Sequence, residues 1–369
     1  MKNTLRDLGL SFGVFPTTQN NHLCDVAGVA IGHKTIRQEN KINTGVTVVR
    51  PVAGDVFIKK PTAGFFCANG FGKFAGSTQV QELGCLESWI GLTNTLAVGT
   101  MLQELTRYQI EAQQDPSLIS INTIIGETND GFLNDITSLP ITAIDVRSAI
   151  ADVREQNTQQ GSIGAGTGSR AFGLKGGIGS AGRDIPETFF STGNSYRIGV
   201  MLVANFGGFL TLQGLPIWKT LGGNRFEAEL NALKESGGSC VILVATDAPL
   251  DARQLQRLAA RATFALGRTG GIFANQSGDY ALAWSTNKKG EVRDDDLDPL
   301  FTAVMEAVEE AVFNAITSAT TTEGFRGTLR AVSAEELVAQ FEDYSFFKIP
   351  TMCGRNRLNG REENSFETP

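Results

Sequence analysis

Residues 238–250 read GSCVILVATDAPL and say more about the fold than any other part of the chain. The apolar run 240–245 predicts a buried strand. Glycine before a hydroxyl residue is also the pattern of a self-cleavage site, because a residue without Cβ lets its carbonyl be approached and twisted. Cutting there would make Ser239 a new N-terminus, whose α-amine has a pKa of about 7.7 to 8.0 and can accept the proton of its own hydroxyl. A loop that leads into a strand is the alternative.

Several segments resemble one known family, the self-processing aminopeptidases of the L-aminopeptidase/D-amino-acid esterase and β-peptidyl aminopeptidase type, which are related in fold to ornithine acetyltransferases. Residues 239–250 match the segment that carries that family's nucleophile. The other matching segments follow in the family's order: residues 126–135, 164–168, 175–179, 198–207 and 277–279. The resemblance runs from about residue 6 to about residue 327, and residues 331–369 form a C-terminal extension without an assigned role.

The resemblance implies an α+β fold, an αββα sandwich of four layers in which two stacked sheets lie between helical layers. It implies self-cleavage between Gly238 and Ser239, which gives an α chain of residues 1–238 and a β chain of residues 239–369 that stay associated. We expect one catalytic domain over residues 1–369, because no linker-like run of proline, serine or charge separates two cores. Related enzymes assemble as tetramers of αβ units, so a homo-oligomer is expected, and one hypothesis is that the extension docks onto a neighbouring copy.

The composition is that of an ordinary enzyme. Hydrophobic residues make up 41% of 369, and the net charge of −7 is modest, with scattered basic residues. We therefore expect neither a nucleic-acid partner nor a basic face for a membrane. The five cysteines form no Cys-x-x-Cys pair, so reduced thiols are expected. The first residues show no secretory signal, and no apolar stretch is long enough to cross a bilayer, so a cytoplasmic location is expected.

Histidine is scarce, since only His22 and His33 occur. No Gly-x-Ser-x-Gly motif surrounds Ser239, which argues against a Ser-His-Asp triad. We expect His33 to be structural or on the surface and His22 to lie in a loop. A His-Glu-x-x-His motif does not occur, so neither a catalytic metal nor a cofactor is predicted.

An acyl-transfer enzyme without a catalytic histidine still needs a base, an oxyanion donor and a group that orients the nucleophile. The resemblance gives Ser277 a hydrogen-bond relay, and gives Asp279 the task of holding charge on the new α-amine or of orienting Ser277. Most relatives carry glutamate, one methylene longer, where Asp279 stands. Asn205 ends an apolar strand, and the resemblance makes its side-chain amide the oxyanion donor. The alternatives are a Ser-Gly-Asp turn and an asparagine in a left-handed turn before glycine.

Residues 127–135 are dense in carboxylate and amide side chains and follow a largely apolar run. In the resemblance, an acid in this segment meets the substrate's free amine, and Glu127 is the candidate because it lies at the strand end. Related enzymes often place a tyrosine hydroxyl where this chain has Phe132. Without that donor, catalysis leans more on Asn205 and backbone amides, or the substrate preference differs. A hydrophilic hairpin loop is the alternative.

Glycine is concentrated between Gly161 and Gly182. This stretch lacks the Gly-Lys-Ser/Thr ending of a P-loop, and no clear strand precedes residues 164–168, as a dinucleotide fingerprint requires. The resemblance makes it a loop that lines the active-site cleft. The roles of Lys175 and Arg183 stay open.

Periodicity predicts the following strands: residues 26–32, 44–49, 198–205, 240–245 and 280–284. It also predicts helices that begin near Asn94, Asp247 and Asp298, and a short acidic helix over residues 334–343. Three residues of the helix that begins at Asp298 are expected to face water: Glu306, Glu309 and Glu310.

Together these patterns predict an N-terminal serine hydrolase that releases N-terminal residues from short peptides, amides or esters with a free amine. L-, D- and β-amino-acid substrates all stay open. One alternative is an acyltransferase of the ornithine acetyltransferase kind, although those relatives typically use threonine as nucleophile and this chain has Ser239. The other is an uncleaved, non-catalytic member used for binding or assembly, an idea motivated by Phe132 and Asp279.

Overall fold

The computed structural model describes residues 4–113, 118–219, 221 and 237–345. Residues 346–369 of the C-terminal extension lie outside these ranges.

Strands are the main elements of the described chain. Their bounds are β1 Ala30–Gln38, β2 Ile42–Arg50, β3 Ala63–Gly70, β4 Phe74–Ala75, β5 Ile90–Asn94, β6 Ile124–Thr128, β7 Arg170–Ala171, β8 Leu174–Lys175, β9 Gly177–Ile185, β10 Tyr196–Asn205, β11 Gly237–Thr246, β12 Gln276–Ser285, β13 Thr322–Gly324 and β14 Gly327–Leu329.

Helices cover the outside of these strands. Their bounds are α1 Val56–Lys59, α2 Ser77–Leu83, α3 Val98–Ala112, α4 Ala143–Ala151, α5 Ala252–Arg268, α6 Asp298–Thr317 and α7 Ala334–Ser345. Among the described residues, no helix combines the length and apolar character that crossing a membrane requires.

Two five-stranded sheets form the centre of the described chain, so the predicted mixture of helices with two main sheets is confirmed. The first sheet has the order β1-β2-β5-β6-β4, and the second has the order β3-β12-β11-β10-β9. In the second sheet, β11 is antiparallel to β10 and parallel to β12. This central position explains the apolar run 240–245, because a strand covered on both faces buries every side chain, and all of these residues are fully buried.

Three apolar clusters give the order in which the layers pack. The first sheet packs against α3 and α4 on one face and against the second sheet on the other. The second sheet packs its other face against α5 and α6. The contact with α6 is close, since a Cβ on Gly179 of β9 would lie 1.9 Å from the Ala311 carbonyl oxygen. Glycine in β9 therefore lets the helix backbone approach the strand.

The first strand begins later than residue 26, so the prediction of a strand over 26–32 is wrong in its bounds. Gly28 has a φ of +86°, which belongs to a turn and not to a strand, and β1 starts at Ala30. The helix predicted from Asn94 also starts later, at Val98. Asn94 instead accepts hydrogen bonds from the backbone of the turn that precedes α3.

Asp247 does not cap the helix that follows β11, so the predicted start of α5 is wrong. Its Oδ1 accepts the Arg197 backbone N–H at 2.7 Å, which ties it to β10. Asp251 is the cap, because its Oδ1 accepts the Gln254 N–H at 2.7 Å while its own backbone N–H donates to the Gln254 Oε1. The start of α6 at Asp298 is confirmed.

Three glutamates of α6, Glu306, Glu309 and Glu310, are buried, so the prediction that they face water is wrong. Arginines from other elements pair with them, as buried charges require. Fully buried Arg183 of β9 lies with Nη2 2.6 Å from Glu310 Oε2 and Nε 3.4 Å from Glu306 Oε2. Arg268 Nη2 lies 2.8 Å from Glu309 Oε2. Arg183 therefore joins the second sheet to its helical layer.

The C-terminal extension begins as part of the core. Val332, Ala334 and Leu337 are buried in the cluster beneath α5 and α6. Arg330 Nη1 lies 2.7 Å from Glu336 Oε2, which joins the helix to the preceding segment. The predicted acidic helix is confirmed as α7, and the first residues of the extension therefore belong to the same folded unit as the sheets.

Candidate active site

Ser239 lies near the start of β11, between two other strands of the second sheet. It is 4% exposed and pairs with Asn205 of β10 on one side and with Gly278 of β12 on the other. Its hydroxyl donates to the Gly238 carbonyl oxygen, with an O···O distance of 2.6 Å. The structure therefore places the predicted nucleophile beside the carbonyl of the peptide bond that precedes it.

Asn205 lies at the last position of β10, directly opposite Ser239. Opposed residues of an antiparallel pair project from the same face of the sheet, so the two side chains are neighbours. The Asn205 Oδ1 accepts the Arg170 backbone N–H at 2.9 Å, and its Nδ2 donates to the Asn129 carbonyl at 3.0 Å. These bonds fix which end of the amide is the donor. Because an amide nitrogen carries two hydrogens, a second one is available beyond the bond to Asn129.

Ser277 and Asp279 form a hydrogen-bonded pair, with the Ser277 Oγ 2.9 Å from the Asp279 Oδ1. The register aligns Ser277 with Gly238 and Asp279 with Cys240, one residue to either side of Ser239. Because side chains alternate along a strand, the pair projects from the sheet face opposite the Ser239 hydroxyl. A Cβ on Gly238 would lie 3.1 Å from the Ser277 Oγ. The pair thus lies beside the peptide bond between Gly238 and Ser239.

The environment of Asp279 favours its neutral form. Burial raises the pKa of the Asp279 carboxyl from 3.8 to about 6, against hydrogen bonds from the Ser277 hydroxyl and the Cys240 backbone, which lower it. Its Oδ2 is buried and has no hydrogen-bond partner among the described residues. A positive charge placed beside this oxygen would be stabilised by the carboxylate, since an opposite charge nearby favours the charged form.

Glu127 lies in β6 of the first sheet and is 2% exposed. Its carboxylate accepts the Lys73 backbone N–H at 3.0 Å and the Thr95 hydroxyl, and the half-exposed Lys73 ammonium lies 3.5 Å from the Oε1. The neighbouring Gly126 faces β11, because a Cβ on Gly126 would lie 3.1 Å from the Val241 Cγ1. The strand β6 therefore packs against β11, the strand that carries Ser239.

Tyr280 is a polar residue near this carboxylate that the sequence analysis assigned only to a strand. A Cβ on Gly72 would lie 3.0 Å from the Glu127 Oε1 and 3.2 Å from the Tyr280 hydroxyl, so both groups border the same small space. Burial, followed by Cys67, Glu127 and Asp279, raises the pKa of Tyr280 to about 12, which keeps the hydroxyl protonated as a donor. The sequence signal was its alternation in β12, which puts Tyr280 on the face between the sheets.

Phe132 follows β6, and its aromatic ring presents an apolar surface. The Arg170 guanidinium lies over its ring at 5.1 Å from the centroid, and a Cβ on Gly327 would lie 3.3 Å from the ring's Cζ. The ring is therefore held between the β7–β8 hairpin and the β13–β14 hairpin and contributes no hydrogen-bond donor.

Both histidines lie in other parts of the structure, where His22 is buried and His33 is partly buried. Burial lowers the pKa of His22 and of His33 to about 4, and the His33 Nδ1 lies 2.9 Å from the Thr47 Oγ1. The described residues include no group of three or more His, Cys, Asp or Glu side chains placed to hold a metal ion. A cavity of about 520 Å³ lies between Phe12, Arg268 and Glu309, and none of the candidate residues lines it.

Residues 21–330 match the sequence profile of peptidase family S58. The chain is 30% identical, over 371 residues, to the β-peptidyl aminopeptidase BapA of Sphingosinicella microcystinivorans, with 92% of each chain covered. The similarity therefore extends over most of the chain and is not confined to the residues around Ser239.

Two solved structures share the fold. The first is a β-aminopeptidase from a Burkholderia species, with a TM-score of 0.83 and 31% identity, covering 94% of this chain and 100% of that one. The second is the L-aminopeptidase D-Ala-esterase/amidase of Ochrobactrum anthropi, with a TM-score of 0.82 and 31% identity, covering 93% of this chain and 99% of that one. That second structure is described as a prototype for the serine aminopeptidases and as a variant of the Ntn hydrolase fold.

Proposed function

The chain belongs to peptidase family S58, and from that membership we propose that it is a self-processing aminopeptidase of the N-terminal nucleophile type with Ser239 as nucleophile. The observation that carries the proposal is the position of Ser239, whose hydroxyl lies 2.6 Å from the Gly238 carbonyl oxygen, with Asn205 directly opposite. Residues 1–238 become the α chain and residues 239–369 the β chain. They stay associated as one catalytic domain because β10 of the α chain pairs with residues 239–246 of β11, which belong to the β chain.

Self-cleavage follows from the contact between Ser239 and Gly238. The Ser239 Oγ attacks the Gly238 carbonyl carbon, the C–N bond breaks, and the hydroxyl proton passes to the departing Ser239 nitrogen. The result is an ester between Gly238 and the Ser239 side chain. Water hydrolyses this ester, which leaves a carboxylate on Gly238 and a free α-amine and hydroxyl on Ser239.

In the mature enzyme, the Ser239 hydroxyl attacks the substrate carbonyl and its own α-amine takes the proton. The side-chain amide of Asn205 donates to the oxygen that becomes negatively charged, together with backbone N–H groups. The leaving amine or alcohol takes the proton back, and water then releases the acyl group from Ser239.

Asp279 holds the charge of the new α-amine. Its unpartnered Oδ2 lies on the strand beside the cut, and Ser277 anchors the other oxygen at 2.9 Å. The shorter aspartate side chain serves this role because the register already places it next to Cys240, the residue after the new N-terminus.

Glu127 pairs with the ammonium group of the substrate. Its carboxylate is 2% exposed, and among the described residues its one ionic partner is the half-exposed Lys73, at 3.5 Å. A substrate that lacks a free amine would leave a buried charge poorly paired, which is the physical basis of amine selectivity. Phe132 bounds the site as an apolar surface.

The substrates are short peptides, amides or esters with a free amine, in keeping with the names of the relatives, a β-peptidyl aminopeptidase and an L-aminopeptidase D-Ala-esterase/amidase. The mature αβ units assemble as a homo-oligomer, a tetramer in this proposal. Light scattering on the full chain and on a chain that lacks residues 345–369 measures the size of the oligomer and shows whether the extension contributes to its assembly.

The test of the activity uses pairs of amino-acid p-nitroanilides, with L-, D- and β-amino acids, each with a free or an acetylated amine. Release of p-nitroaniline from the free-amine member alone supports the proposal. If a product forms only when an amine acceptor is added, the protein is an acyltransferase. No product from any pair, with the chain uncut, would identify it as a non-catalytic member.

A further inference from the structure

Lys175 is a buried cation that has no part in the mechanism above. It is 0% exposed, and its Nζ donates to three backbone carbonyls, those of Gly166 at 3.2 Å, Ser169 at 3.1 Å and Gly176 at 2.8 Å. These bonds use all three hydrogens of an ammonium group. Among the described residues, no carboxylate forms an ion pair with Lys175. A buried charge held only by carbonyls must have those carbonyls in place, so the lysine and its loop determine each other's positions.

One of these carbonyls leads directly to the candidate oxyanion donor. The peptide group between Ser169 and Arg170 has its oxygen held by Lys175 and by the Gly176 N–H at 2.9 Å. The N–H of the same peptide group donates to the Asn205 Oδ1 at 2.9 Å. A peptide group is planar, with its C=O and N–H pointing in opposite directions. Holding the oxygen on one side therefore aims the N–H at Asn205 on the other.

We propose that Lys175 is a positioning residue, which holds the Ser169–Arg170 peptide group so that the side-chain amide of Asn205 presents its Nδ2 to the reacting carbonyl. The inference rests on the proposed function, because it requires Asn205 to be the oxyanion donor. Lys175 does not touch the substrate. It acts through one peptide plane and one hydrogen bond.

The burial of Lys175 makes this arrangement sensitive to its proton. Burial, aided by Arg37 and opposed by Asp130, lowers the pKa of Lys175 to about 7. A neutral amine has only two hydrogens for three carbonyls. Loss of the proton would therefore release one of the bonds that hold the loop.

A double-mutant cycle on the full chain tests the proposal. Lys175→Met removes the charge and the hydrogen-bond donors but keeps a side chain of nearly the same length. Lys175→Gln keeps two N–H donors. Each is made alone and together with Asn205→Ala, and kcat is referred to the concentration of cleaved chain. Lys59→Met is the control, since Lys59 also donates to a backbone carbonyl, that of Ala53 at 2.6 Å, but on the surface.

The expected result is a fall in kcat of about 10- to 100-fold for Lys175→Met, with KM unchanged, and a smaller fall for Lys175→Gln. In the Asn205→Ala background, Lys175→Met should change kcat less than about twofold. Equal losses in both backgrounds, or no loss in either, would overturn the proposal. So would failure of both Lys175 variants to fold or to self-cleave while Asn205→Ala does both, since Lys175 would then act on more than Asn205. If Asn205→Ala alone keeps full kcat, the fault lies in the proposed function and not in the link to Lys175.

Discussion

Asn205 and Ser239 are opposed residues of the antiparallel pair β10 and β11, so both side chains leave the same face of the second sheet. Self-cleavage would put Asn205 on the α chain and Ser239 on the β chain. The strand ladder would still hold the proposed oxyanion donor against the proposed nucleophile. Because the two residues have different proposed roles, substituting each one alone tests its role separately.

Asn205→Ala should lower kcat by about 10² to 10³-fold with little change in KM, because the amide binds the oxygen mainly when that oxygen becomes charged. Steady-state kinetics on the cleaved enzyme measure this. Asn314→Ala is the control, since it removes another buried amide, which donates to the Ser180 carbonyl at 2.9 Å in the helical layer. That variant should lose about 1–3 kcal/mol of stability and keep its kcat. A loss of kcat below tenfold for Asn205→Ala would contradict the assignment.

Glu127→Gln should remove the preference for a free amine. Losing one partner of a buried ion pair costs about 3–5 kcal/mol, so kcat/KM for the free-amine substrate should fall by at least about 100-fold. The ratio of rates for free and acetylated substrates then approaches one. Glu104→Gln is the matched control, because Glu104 of α3 is also buried and its Oε2 lies 3.5 Å from the Arg147 Nε of α4. An unchanged ratio in Glu127→Gln would rule out this carboxylate as the amine site.

Gly238→Ala should slow self-cleavage. The added Cβ would lie 3.1 Å from the Ser277 Oγ and 3.2 Å from the Phe206 Cα, closer than most Cβ contacts. Crowding of this kind costs about 1–3 kcal/mol, which corresponds to roughly 5- to 150-fold in rate. A time course of the uncut band on denaturing gels measures it. Gly267→Ala in α5 is the control, since nothing lies within 4 Å of its Cβ, and it should cut at the wild-type rate.

Asp279→Asn should change the pH dependence of stability in the uncut Ser239→Ala protein. The folded-state pKa of Asp279 is about 6 against 3.8, so the folded state binds its proton more tightly. The stability from Asp279 is therefore present below about pH 3.8 and is lost as the pH rises through about 6, a total of roughly 3 kcal/mol. In urea unfolding from pH 4 to 8, the unfolding free energy of the Asn variant should rise by that amount relative to the free energy of its parent. If the difference in unfolding free energy between the Asn variant and its parent does not vary with pH, the raised pKa of Asp279 is contradicted.

Most residues of the candidate site could be identified from the sequence, because they lie at strand ends in recognisable segments. The apolar run after Ser239 predicts the central strand, and the fold places Asn205 beside it. Sequence could not show that Ser277 and Asp279 project from the opposite sheet face, because that depends on the register of β11 with β12. Nor could it show that Tyr280 borders Glu127, since the two residues belong to different sheets.

Two of the failed predictions have the same cause, a partner that is distant in sequence. Helical periodicity placed Glu310 toward water, but Arg183 reaches it from β9, with 2.6 Å between Nη2 and Oε2. Aspartate is a common helix cap, but the carboxylate of Asp247 instead accepts a hydrogen bond from the Arg197 backbone N–H on the neighbouring strand. Local patterns specify which side chains are present, and the packing of sheets and helices decides what they contact.

The most direct test of self-cleavage at Ser239 is the intact mass of the freshly purified protein, measured beside Ser239→Ala, with N-terminal sequencing of the smaller fragment. We expect two fragments, of residues 1–238 and 239–369, the smaller with a sequence that starts at Ser239, and a single uncut chain for the variant. A single chain of 369 residues in both samples would contradict this expectation, because Ser239 would then have no free α-amine to act as its base.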